Sequence, residues 1–82
     1  MKRLTTEALK EENYNETLAY IATRILSKKT IEAKEAEAER IDSILWRLAR
    51  TEKANTIDEA QDNAIRFTVA LDTMITDCYR NL

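Results

Sequence analysis

The chain has 82 residues, enough for one small domain, and it contains neither glycine nor proline. Tight hairpins depend on these turn formers whereas long helices do not, so the composition favours an all-α fold. With 44% hydrophobic residues the chain is too apolar for a disordered tail. Its net charge of −2 excludes a strong overall attraction for nucleic acid.

Hydrophobic spacing predicts a three-helix antiparallel bundle, with helices at about residues 5–28, 31–53 and 57–80, in a single domain over residues 1–82. In the first helix, apolar residues recur three and four apart: Tyr14, Leu18, Ile21, Ala22, Ile25 and Leu26. Asn15 is an alternative N-cap. In that case residues 1–12 are frayed or form a separate turn.

The second helix is predicted to start after Thr30, which is suited to cap it. Its apolar stripe is Ala38, Ile41, Ile44, Leu45, Leu48 and Ala49. The joint at residues 27–30 contains no strict helix breaker, so one continuous helix through the first two segments remains an alternative. Asn55 can take the left-handed conformation that ends a helix, which favours a break after the second segment.

The third helix opens on a capping box, in which the side chains of Thr56 and Glu59 each accept a hydrogen bond from the other's backbone N–H. A coiled-coil-like stripe follows: Ile57, Ala60, Ala64, Phe67, Leu71, Met74 and Cys78. All three segments begin with acidic residues and the first two end with basic ones, as helix dipoles favour. In an up-down-up bundle these charges would also lie beside their opposites.

Enzymatic chemistry is not expected. The chain has no histidine for acid–base catalysis or metal binding, and without glycine it has no phosphate-binding loop. Glu32, Glu35 and Glu39 are interpreted as a solvated acidic face rather than a metal site. Cys78 lies in an apolar stripe, which predicts a buried and unreactive thiol. We therefore expect no cofactor and no metal.

Protein binding is the favoured interpretation, because several large side chains lie off the predicted core stripes. At 100° per residue, Trp46 projects from a polar flank beside Arg50, and Tyr20 points away from its own stripe. Ile65 and Val69 lie opposite the core stripe of the third helix. Exposed residues of this kind mark contact surfaces, with tryptophan the strongest anchor. Alternatively, a tilted helix or the N-terminal dozen residues cover them.

The predicted function is therefore to bind another protein and modulate it by occupancy, as a regulator, inhibitor or adaptor does. A homo-oligomeric structural or chaperone module is the second possibility, and in either case we expect a homodimer that completes the bundle. Nucleic-acid binding is third, because Arg24, Lys28 and Lys29 are expected at the opposite pole from Arg47, Arg50 and Lys53.

The expected location is the cytoplasm, or the host cytoplasm if the chain is encoded by a phage or mobile element. The longest uncharged stretch, residues 17–23, is too short to span a bilayer, so no membrane insertion is expected. No apolar segment of a secretory signal follows the first charged residues.

Overall fold

Three helices form the body of the protein: α1 (Tyr14–Leu26), α2 (Ile31–Thr51) and α3 (Ile57–Arg80). They are seen in a computed structural model, which describes residues 3–51 and 57–81. The predicted all-α bundle is confirmed. α1 is much shorter than its two neighbours, and this difference shapes the rest of the molecule.

The helices run up, down and up, as contacts between their ends show. The hydroxyl of Tyr79, near the end of α3, donates to the carboxylate of Glu35, near the start of α2. Arg24, near the end of α1, pairs with Glu37 in the first half of α2. Both neighbours of α2 are therefore antiparallel to it, as predicted.

The first helix begins later than predicted. Two short 3-10 turns, Thr6–Leu9 and Glu11–Asn13, precede α1, so a continuous helix from residue 5 is wrong and the alternative of a separate turn is correct. These N-terminal turns are packed rather than loose, because Ala8 and Leu9 are 0% and 1% exposed. Leu9 belongs to the same core cluster as residues of all three helices.

Buried polar side chains attach the N-terminal turns to the helices. Asn63 on α3 donates from Nδ2 to the carbonyl of Leu9 at 2.9 Å, and Thr17 on α1 donates from Oγ1 to the carbonyl of Ala8 at 3.2 Å. These carbonyls lie outside any α-helical ladder, and a buried carbonyl without a donor would cost about 1–3 kcal/mol. The two N-terminal turns thus pack against the core in place of the first part of the helix that the sequence predicted.

One of the two predicted caps that the structure describes is correct. Asn15 is not a cap, because α1 begins at Tyr14 and Asn15 lies inside the helix. The backbone N–H of Ala33 donates to Thr30 Oγ1 at 3.1 Å, so α2 restarts after a break and a single continuous helix is excluded. The predicted capping box and the Asn55 terminator cannot be compared, because Asn55 and Thr56 lie outside the described residues. Glu59 itself is described, and its Oε1 accepts a hydrogen bond from the backbone N–H of Glu11 at 3.0 Å.

The core follows the predicted stripes, with two departures. Its fully buried hydrophobic residues are Ala8, Leu9, Ile21, Ile25, Ile41, Leu45, Ala49, Ala64 and Phe67. The ring of Phe67 stacks on that of Tyr14 at 4.9 Å, which joins α3 to α1. Leu26 was predicted in the core but is 55% exposed, because it is the last residue of α1. Cys78 is only partly buried.

Candidate protein interface

The outer face of α3 carries the exposed apolar pair that the sequence predicted. Ile65 and Val69 lie one helical turn apart and are 51% and 60% exposed. On the opposite side of the same helix, Phe67 and Leu71 are 0% and 4% exposed. α3 is therefore apolar on two sides, and within the described residues only one of them is covered.

Polar residues surround this pair. Asp62, Asp72, Thr73 and Thr76 are all exposed on α3. A shallow depression of about 290 Å³ begins at Val69 and continues along the helix past Asp72, Thr73 and Thr76 to Arg80. We refer to Ile65, Val69, Thr73 and Thr76 as the α3 outer face. An apolar centre with a polar rim is the usual anatomy of a protein contact surface.

Trp46 is not exposed in the way the helical wheel predicted. The side chain is partly buried and packs against the core cluster. The physical reason is that α2 contacts α1, α3 and the Thr6–Leu9 turn, so its buried arc is wider than a single apolar stripe. The predicted exposure of Trp46 is therefore wrong, while its role in binding a partner stays a prediction for the part of its surface that remains accessible.

Tyr20 and Arg50 have different surroundings. Tyr20 is also partly buried against the core, and the guanidinium of Arg24 lies over its ring at 5.9 Å. Leu4, from the N-terminal segment, lines the same cleft as Tyr20. The prediction that Tyr20 points away from the core is therefore wrong, because its ring packs against the core cluster. Arg50 is exposed on α2, as the sequence predicted.

A buried carboxylate between two arginines was missed by the sequence analysis. Glu37 is 6% exposed. Its Oε2 accepts from Arg24 Nε at 3.0 Å and Nη2 at 2.9 Å, and from Arg40 Nη2 at 3.0 Å; its Oε1 accepts from Arg40 Nε at 2.7 Å. Glu37 precedes Ile41 by one helical turn, so its position on the buried stripe was the signal available in the sequence.

This arrangement shifts the pKa of both ionised partners. The hydrogen bonds from Arg40 lower the pKa of Glu37 most, burial opposes them, and Arg24 lowers it further, to about 2. The same bonds to Glu37 raise the pKa of Arg40 above its usual value. The carboxylate is therefore ionised at neutral pH and fixes two guanidinium groups in place.

Further arginines gather at the same place. A cleft of about 280 Å³ between α1 and α2 is lined by four of them: Arg3, Arg24, Arg40 and Arg47. The expectation that Arg24 and Arg47 lie at opposite poles of the bundle is wrong, because the two residues line one cleft. The cleft runs along the boundary between α1 and α2, so it includes basic residues from well-separated positions of both helices.

Cys78 lines a separate groove at the end of the bundle where α1 stops. The groove has a volume of about 430 Å³, and its apolar walls are Leu26, Ile31, Met74 and Cys78. The thiol is partly buried and makes no disulfide. The expectation of a fully buried cysteine is therefore corrected, because α3 extends past the last residue of α1 and leaves this end of its stripe half covered.

The described part of the chain holds neither a cluster of metal ligands nor a membrane-spanning helix. Over residues 3–51 and 57–81, no three acidic or cysteine side chains cluster as metal ligands would. None of the helices described there has an apolar stretch long enough to cross a bilayer. Comparison with protein families, curated proteins and solved structures gives no match to this chain.

Proposed function

We propose that this protein is a non-catalytic binding module that docks on another protein through the α3 outer face and modulates that partner by occupancy. The observation that carries the proposal is the pair Ile65 and Val69, each more than half exposed on a helix whose opposite side is buried at Phe67 and Leu71. Side chains this exposed add little to the described core, so polar residues at these positions would serve the fold equally well. Their apolar character is therefore explained better by contact with a partner.

The contribution of this pair to binding can be estimated from its exposure. Complete burial of a valine or isoleucine side chain stabilises by about 1.5–3 kcal/mol, and roughly half of each side chain remains to be covered. The pair would thus contribute about 2 kcal/mol, or about thirtyfold in affinity. A contribution of this size requires further contacts around it, which the polar rim of the face supplies.

Self-association is the second candidate function, since a copy of the chain could cover the same face and complete a homodimer. Nucleic-acid binding is the third. The chain carries 15 acidic residues against 13 basic ones, and two of the exposed residues beside the pair, Asp62 and Asp72, would repel phosphates at this face.

The test compares Ile65→Ser/Val69→Ser with Leu26→Ser, which changes another half-exposed apolar residue on a different helix, in the groove beside Cys78. Light scattering after size exclusion first gives the oligomeric state of each protein. Affinity capture from a cell lysate then shows whether a stoichiometric protein is recovered with the parent. We expect the double variant to lose that protein and the Leu26 variant to retain it.

Two results would contradict the proposal. A stable parent dimer that the double variant dissociates would support the homodimer instead. Unchanged capture and unchanged oligomeric state in the double variant would show that the α3 outer face binds nothing. Both variants should melt at the parent temperature, because neither changes a fully buried side chain.

A further inference from the structure

We infer that the arginine-lined cleft between α1 and α2 is a second binding site, which takes an acidic peptide segment of a partner protein. The lining residues come from the N-terminal segment, α1 and α2, and none comes from the described part of α3. The inference therefore stands independently of the α3 outer face.

Glu37 preorganises two of the four arginines without using all their donors. Arg24 and Arg40 bind it through their Nε and Nη2 groups, which leaves the Nη1 group of each without a hydrogen bond to the described residues. Their side chains remain 41% and 52% exposed. Donors that are already fixed in place lose little conformational entropy when an anion binds.

The other two arginines are not neutralised. Arg3 and Arg47 are exposed, and the structure gives neither an ion pair nor a hydrogen bond with the described residues. Four guanidinium groups thus share one cleft with a single carboxylate. Like charges this close repel one another, and a bound anion would relieve the repulsion.

Charge outside the cleft distinguishes an acidic peptide from a nucleic acid. The chain has 13 basic and 15 acidic residues, so without the four arginines and Glu37 nine basic residues face fourteen acidic ones. A nucleic-acid strand carries a charge about every 3.4 Å and would continue from the cleft onto this acidic surface. The carboxylates of a peptide can be confined to the cleft.

The walls of the cleft indicate what accompanies the carboxylates. Leu4, Ile41 and Ile44 line it together with the arginines, and Leu4 and Ile44 are only partly buried. An apolar side chain next to the acidic ones would cover this remaining surface. The site therefore fits a segment in which glutamate or aspartate alternates with leucine-like residues, bound by guanidinium–carboxylate pairs.

The experiment measures fluorescence anisotropy of a labelled peptide made of repeated Glu-Glu-Leu triplets, titrated with the full chain. Arg3→Gln/Arg47→Gln removes the two arginines that do not hold Glu37, so the fold is left intact. Lys29→Gln/Arg80→Gln removes the same charge outside the cleft. We expect the first double variant to bind about tenfold more weakly and the control to stay within about twofold of the parent.

Two further probes test the chemistry of the ligand. A peptide of Glu-Glu-Ser triplets should bind more weakly than the leucine peptide, and labelled oligothymidylate of matched length should bind more weakly than either. Equal affinity of the parent and Arg3→Gln/Arg47→Gln, or an equal loss in the charge-matched control, would overturn the inference. The inference would also be overturned if oligothymidylate bound more tightly than the peptides and depended on the same two arginines. The cleft would then be a nucleic-acid site.

Discussion

Glu37→Gln should destabilise the protein at neutral pH and have almost no effect at pH 2. The carboxylate has a pKa of about 2 in the folded chain, against an ordinary value of 4.5. A carboxyl group whose pKa is lower in the folded chain than in the unfolded chain stabilises the fold at pH values above the unfolded pKa. This contribution is lost as the pH falls from about 4.5 to 2. At 1.36 kcal/mol per pH unit, the full contribution is about 3 kcal/mol.

Glutamine resembles a protonated glutamate in shape and charge, so the variant imitates the acid form of Glu37. The free energy of unfolding should differ between parent and variant by about 3 kcal/mol at pH 7 and by less than about 1 kcal/mol at pH 2. Urea denaturation followed by far-UV circular dichroism at a series of pH values gives this difference directly. Other carboxylates titrate in both proteins and cancel.

Glu39→Gln is the matched control, because Glu39 is exposed on the same helix and has no ion pair among the described residues. It should differ from the parent by less than about 0.5 kcal/mol at neutral pH. The reasoning is refuted if the gap between parent and Glu37→Gln is the same at pH 7 and pH 2. A Glu37 carboxyl that titrates near 4.5 by NMR would refute it equally.

Two further substitutions test the packing. Phe67→Ala should cost about 3–5 kcal/mol of unfolding free energy, because it removes a fully buried ring together with its stacking contact to Tyr14. Urea denaturation measures this loss, and a value below about 1 kcal/mol would place Phe67 outside the core. Trp46→Ala should cost about 1–3 kcal/mol, since the indole packs on the core cluster, and an unchanged denaturation midpoint would restore Trp46 as an exposed anchor.

Helix positions were predictable from the sequence because apolar spacing and charge placement agreed. The start of α2, the bounds of α3 and the exposure of Ile65 and Val69 follow from apolar periodicity together with the capping signals in the sequence. The burial of Trp46 does not, since it depends on how many elements surround α2, and a helical wheel describes one helix at a time. The N-terminal turns could be offered only as an alternative for a related reason, because 3-10 turns carry no strong periodicity.

The buried polar residues of the core were also not predicted from the sequence. Thr17, Glu37 and Asn63 all lie at buried helical spacings, yet a polar residue there is read as an interruption of the stripe unless its partner is known. The partners are a carbonyl in the N-terminal turns for Thr17 and Asn63, and two arginines on different helices for Glu37. The arginine-lined cleft depends on the same tertiary pairing and could not be found without it.

The docking of the N-terminal turns has a consequence for the order of folding. Their hydrogen bonds to α3 join residues 54 apart at Asn63 and Leu9, and 48 apart at Glu59 and Glu11. During synthesis these turns emerge before their partners on α3, so their bonds to Asn63 and Glu59 cannot form until α3 has been made. We expect the turns to dock late in folding, and their amides to exchange with solvent before those of α2 and α3.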